Sequence, residues 1–119
     1  MKSGKAKAMN KKNFYALHSD VCKTLANPKR QEILDNLRER EMSVNELVEK
    51  TGISQANLSQ HLSILRTKRI VSTRRDGINV YYTITNPKII AAFDLISDVL
   101  DESVTSQTEA IREGMNSKR

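Results

Sequence analysis

The sequence has no tryptophan, a single cysteine and no apolar run near the ~20 residues a membrane-spanning helix needs. Cys22 has no partner for an internal disulfide, which fits a reducing compartment. The opening stretch "MKSGKAKAMNKKN" lacks the apolar core of a secretory signal, so a cytoplasmic protein with no membrane association is expected. No nucleophile is paired with a base, no glycine-rich phosphate loop is present, and the two histidines fall on different predicted helices. The expectation is therefore a protein that is not an enzyme and carries no cofactor. Hydrophobic residues make up only 38% of 119 residues. That length suits one domain, but so thin a core suggests that part of the apolar surface is covered by another chain.

Positive charge is present in excess, and it is not spread evenly. Residues 1–12 carry five lysines and no acid, and are expected to form a basic disordered tail. Residues 13–65 nearly balance, with six basic and seven acidic side chains. Residues 66–76 then gather Arg66, Lys68, Arg69, Arg74 and Arg75 against the single acid Asp76. A cluster of one sign on a short internal segment points to a polyanionic partner.

Local signals divide the chain into four helices, a hairpin and a long last helix. Phe14, Leu17, Val21 and Leu25 recur at helical spacing over about residues 13–26. In "NPKR", Asn27 caps and Pro28 takes the first position of a second helix, which carries Ile33, Leu34 and Leu37 to near Arg40. "SVNE" is a capping box, Ser43 with Glu46, that opens a short third helix with Leu47 and Val48 inward; Gly52 ends it. Ser54 caps a fourth helix after a three-residue turn, and Leu58, Leu62 and Leu65 form its apolar stripe. Two short helices joined in this way are a helix-turn-helix. Asp76-Gly77 between two β-rich runs predicts a hairpin turn centred on that dipeptide, with Ile78, Val80, Tyr82 and Ile84 facing inward. The last helix is expected from about Pro87 to Gly114, giving a folded domain of residues 13–114 and a short tail of 115–119. The fold class is mainly α with a β-hairpin wing, a winged helix-turn-helix in the order ααααββα.

The fourth helix has an unusual outward face. With Leu58, Leu62 and Leu65 inward at ~100° per residue, the far side carries Ala56, Ser59, Gln60, Ser63 and Thr67, flanked by Asn57. Solvated helix faces usually favour Glu and Lys, but Ser54–Leu65 holds no Asp, Glu, Lys or Arg. Amides and hydroxyls on short stems match the donors and acceptors of base edges, and Gln55, in the first turn, points toward a groove floor. Double-stranded DNA is the expected partner, with Ser54, Gln55, Asn57, Ser59, Gln60, Ser63 and Thr67 reading. Lys68, Arg74, Arg75 and Asn79 would hold the backbone or the minor groove. Arg74 and Arg75 also have a plainer reading, as charges that keep a sheet edge from aggregating. His61, on the flank of the stripe, is expected to be a partly buried structural group. A second reading of the whole keeps the winged helix as a protein-interaction module whose wing docks an acidic partner.

The stretches "LANPKRQEILDNL" and "SVNELVEKTGISQANLSQHLSILRTKRIVSTRRDGINVYYTI", with the "NP" before the last helix, resemble the ArsR/SmtB type of winged-helix transcriptional repressor, over about residues 14–104. The resemblance implies repression at an inverted-repeat operator, relieved by a signal, with the positions of Gln55, Ser59 and Gln60 facing the major groove. It also implies a homodimer held by the first and last helices, which assigns Phe14, Leu17, Val21, Phe93, Ile96, Leu100 and Val104 to the interface. The chain departs from the family at its sensing sites. Where many members carry paired cysteines on the third helix, this one reads "VNELVEK", and no histidine follows residue 61. His18 and Cys22, four residues apart on the first helix, share a face that a soft metal would accept. Two ligands do not complete a tetrahedral site, so no metal is expected and Cys22 is read as a small apolar residue beside Leu25. The inducer stays unassigned.

Overall fold

The computed structural model describes residues 10–117. The elements are α1 (Lys11–Leu25), α2 (Pro28–Leu37), β1 (Met42–Ser43), α3 (Val44–Thr51), α4 (Gln55–Thr67), β2 (Val71–Asp76), β3 (Asn79–Ile84) and α5 (Lys88–Ser117). Most of the expected basic tail lies outside the described residues, although Lys11 and Lys12 belong to α1. The chain divides into two units, residues 1–86 and 87–119.

In the first unit the helix starts follow their caps. Asn27 Oδ1 accepts from the backbone N–H groups of Lys29 and Arg30 at 3.0 and 3.2 Å, and Pro28 begins α2. The capping box is complete: Ser43 Oγ accepts from Glu46 N–H at 3.2 Å, and Glu46 accepts from Ser43 N–H at 3.0 Å. That second bond, with Arg40 beside it, holds the Glu46 carboxyl below the usual carboxylate range. Gly52 closes α3 at φ 73°, a left-handed conformation that a residue without Cβ adopts freely. Ile53, in the turn, is buried, and Ser54 Oγ accepts from Asn57 N–H to start α4. The core is aliphatic: Ile33, Leu34 and Leu37 from α2, Leu47 from α3, Leu58, Leu62 and Leu65 from α4, and Met42, Ile53, Ile70 and Val71 between them.

Three expectations need correction. Helix α2 stops at Leu37, three residues early, and the segment after it forms β1, which pairs antiparallel with β3 (Met42 with Tyr82, Ser43 with Tyr81). The sheet is therefore three-stranded, in the order β1-β3-β2. The hairpin turn is also one residue further along. Asp76 pairs with Asn79, so Gly77 and Ile78 are the central residues, with Gly77 alone of the two at positive φ, 65°. That is the type II′ pattern, in which only the first central residue needs positive φ. A β-branched isoleucine is tolerated second, where it would be strained in the type I′ turn that Asp-Gly suggested. Ile78 consequently sits at the tip and is 94% exposed instead of facing inward.

The exit from α4 is built with care. Lys68 caps the helix, Arg69 N–H donates to Arg66 C=O at 2.9 Å, and Ile70 N–H donates to Leu65 C=O at 2.9 Å. This is a Schellman motif, and its left-handed position, usually glycine, is Arg69 at φ 62°. Thr85 clamps the joint, donating from its hydroxyl to Arg69 C=O at 2.6 Å and from its N–H to Ile70 C=O at 3.0 Å.

The second unit is α5, a helix of 30 residues. Ile89, Ile90 and Phe93 are half-buried, while Leu95, Ile96, Val99, Leu100, Val104 and Ile111 are each at least 60% exposed.

Candidate nucleic-acid interface

All eleven side chains assigned to DNA contact from the sequence are exposed: Ser54, Gln55, Asn57, Ser59, Gln60, Ser63, Thr67, Lys68, Arg74, Arg75 and Asn79. The α4 helix thus has two unlike faces, with Leu58, Leu62 and Leu65 at 0% exposure on one and the uncharged polar set on the other. The first face fixes the helix against α2 and α3, so the second is presented on a rigid support.

The basic cluster divides in a way the sequence did not foreshadow. Arg74 is engaged: its guanidinium forks onto Glu41, Nε 2.9 and 3.0 Å from the two carboxylate oxygens and Nη2 at 2.8 Å from one of them. It also lies 4.8 Å over the Tyr81 ring. Lys68 Nζ meets Asp20 of α1 at 2.8 Å. Both pairs are exposed, so each contributes little stability, but each neutralises a cation facing solvent. Arg66, Arg69 and Arg75 have no ion pair or hydrogen bond from their side chains among the described residues. Arg75 follows Arg74 along β2, so the two point to opposite faces. Arg66 and Arg69 were visible as part of the charge cluster but not as separate contact residues. The left-handed φ of Arg69 is a conformational signal that no sequence pattern carries.

His61 is a structural group, as expected, though its partner is a side chain. Arg30 Nε donates to His61 Nδ1 at 3.3 Å while Arg30 Nη1 donates to Thr24 C=O at 3.0 Å, so one guanidinium ties α4 to the end of α1. A ring nitrogen accepting from arginine holds no proton. Burial, then the charges of Arg30 and Lys29, push the His61 pKa below its ordinary value. The unfolded chain therefore binds more protons than the folded one once pH drops below about 6.5. Stability from this group is complete above that pH and is lost as pH falls toward the lowered folded value. We expect the melting temperature of the native chain to fall more between about pH 7.5 and 5.5 than that of His61→Gln, which accepts without titrating. Parallel curves in thermal denaturation would show that the Arg30 bond does not control the ring.

On α1, Cys22 Sγ lies 3.6 Å from His18 Nδ1, and both residues are exposed. Among the described residues no three His, Cys, Asp or Glu side chains gather into a group able to hold a metal. No helix among them is long and apolar enough to cross a membrane. Of the residues assigned to a dimer interface, Phe14, Leu17, Ile96, Leu100 and Val104 are exposed and Val21 and Phe93 half-buried.

Comparison with known proteins agrees with this geometry. Residues 27–73, from the α2 cap into β2, match the pattern of "Bacterial regulatory protein, arsR family". The nodulation protein NolR of Rhizobium meliloti is 43% identical over 89 residues, 75% of this chain and 70% of NolR. Among solved structures, Rv0081 of Mycobacterium tuberculosis superposes with a TM-score of 0.74 at 38% identity, covering 80% of this chain and 96% of that one. The homodimeric winged helix-turn-helix DNA-binding domain of Mb0332 from Mycobacterium bovis superposes with a TM-score of 0.71 at 32% identity, covering 79% and 87%. Likeness of this extent, reaching from the caps to the wing, goes beyond a shared fold. The chain belongs to the arsR family of bacterial regulatory proteins and is a winged helix-turn-helix, DNA-binding transcription regulator.

Proposed function

We propose that the chain is a homodimeric repressor that reads an inverted-repeat operator with α4 and anchors itself on phosphate with the cations between α4 and the wing. The observation that carries this reading is the uncharged, exposed amide and hydroxyl face of α4, mounted on a buried leucine stripe. Dimerisation is supported separately by the exposed aliphatic residues of α5 and by Phe14 and Leu17 of α1, since bare apolar stretches of this extent mark interfaces. Two α4 helices related by a dyad would enter successive major grooves, with half-sites centred about one helical turn, roughly 10 base pairs, apart or a multiple of that. Repression would follow from occupancy of a promoter. The third-helix thiols and last-helix histidines of the metal-sensing relatives have no counterpart in "VNELVEK" or after His61, so release is assigned to no metal at those positions. The protein-interaction reading is disfavoured by the likeness to DNA-binding regulators.

The paired and unpaired cations make a sharp test. Each phosphate neutralised contributes roughly 0.9 to the slope of log K against log salt. Arg75→Ala should lower that slope by about one and weaken binding to specific and random duplexes alike. Arg74→Ala should change it less, because Glu41 already neutralises that guanidinium. Fluorescence anisotropy across a salt series measures both. Equal effects of the two substitutions, or a loss confined to one sequence, would contradict the assignment.

A further inference from the structure

The wing tip carries an aliphatic side chain that nothing among the described residues covers. Ile78 is the second central residue of the tip turn and is 94% exposed. Such positions ordinarily hold Gly, Asn, Asp or Ser, which satisfy the turn and stay solvated. Around Ile78 stand Arg75, unpaired among the described residues, and Asn79, whose amide makes no hydrogen bond among them. Asp76, the one acid at the tip, lies 3.9 Å from Arg74. The tip therefore offers a branched alkyl group at the turn itself, with a cation on one face of the ribbon and an amide on the other, since Asn79 pairs with Asp76 and Arg75 with Val80.

A DNA groove fits all three. If α4 occupies the major groove, the wing that follows it meets the flanking minor groove, where Arg75 finds phosphates and the tip faces the groove floor. A·T pairs present only the acceptors A N3 and T O2 there, and G·C pairs add the guanine 2-amino group. Asn79 can donate to those acceptors. An alkyl group cannot accept from the 2-amino group, which would be buried against it without a partner and would also occupy its space. We propose that Ile78 makes the wing a minor-groove discriminator, selecting A·T pairs where it lands by excluding the guanine 2-amino group. This rests on the DNA-binding reading above.

Inosine separates the grooves, because an I·C pair keeps the major-groove edge of G·C and lacks the 2-amino group. The probes are duplexes recovered by the full chain from a randomised pool, with each flanking position outside the α4 half-sites changed in turn from A·T to G·C and to I·C. The native chain should bind about tenfold more weakly to G·C at the wing positions and recover to within about twofold with I·C. Ile78→Ala and Ile78→Ser should keep their melting temperature, stay within a few-fold on the A·T duplex and lose the discrimination. The inference is overturned if Ile78→Ala discriminates as well as the native chain, if I·C behaves like G·C, or if the substitutions alter sedimentation and not DNA binding, which would make the tip a contact with a second copy. Recovery of no preferred duplex would overturn the DNA-reading assignment along with it.

Discussion

With Ser59 and Gln60 both replaced by alanine, the chain should lose about a hundredfold of its preference for its operator over a scrambled duplex. A side chain with two well-placed contacts to a base edge contributes about 1–3 kcal/mol of discrimination. Losing a bidentate glutamine and a neighbouring hydroxyl should therefore reduce the specific-to-random ratio by roughly a hundredfold. Binding to random DNA should be unchanged, because neither residue is charged and Arg66, Arg69 and Arg75 are untouched. Anisotropy titrations of both duplexes at one salt concentration measure the ratio. A ratio that survives the double substitution would move the reading face elsewhere on α4. The substitutions should not disturb the fold, since both residues are exposed and alanine is a better helix former than either.

Leu62→Ala, two residues along from Gln60, is expected to do the opposite. Leu62 is 0% exposed, and truncating a buried leucine costs about 2–5 kcal/mol through lost transfer energy and the cavity left behind. Against a total of roughly 5–15 kcal/mol for a domain, that is enough to leave a substantial unfolded fraction near physiological temperature. Ser63→Ala, on the neighbouring exposed position, should fall within about 0.5 kcal/mol of the native chain. Urea denaturation at one fixed protomer concentration compares them, since stability of an associating chain depends on concentration. Similar midpoints for both variants would refute the division of α4 into a supporting and a reading face.

The split of α4 into a buried leucine stripe and an exposed polar face was legible in the sequence because it is local. Caps at Asn27, Ser43 and Ser54, the stop at Gly52 and the leucine stripe of α4 each depend on residues within a turn or two, and the structure bears them out. What escaped depends on distant partners or on backbone choice. Strand β1 is two residues long and exists only because Tyr81 and Tyr82 lie beside it. Asp-Gly names a turn but does not fix its register, and the extra pair Asp76–Asn79 moved Ile78 from the expected core to the tip. Counting charges made Lys68 and Arg74 equal to Arg75. Asp20, 48 residues from Lys68, and Glu41, 33 residues from Arg74, make them unequal. The exposure of each DNA-facing candidate follows from the helix wheel, whereas which cations remain free for a polyanion follows only from the fold.

The clamp at the end of α4 has a consequence for the nucleic acid as much as for the protein. An arginine at φ 62° is far less free than the glycine usual there, and Thr85 fastens the carbonyls of Arg69 and Ile70, the two residues whose N–H groups close the helix. Helix α4 and the wing are therefore held like the two jaws of a fixed caliper. On the proposed mode of binding, the gap between them is set before any duplex arrives, and a groove spacing that does not match must be accommodated by bending or narrowing of the DNA. Two operators with identical contacted bases would then differ in affinity according to how readily the intervening steps deform.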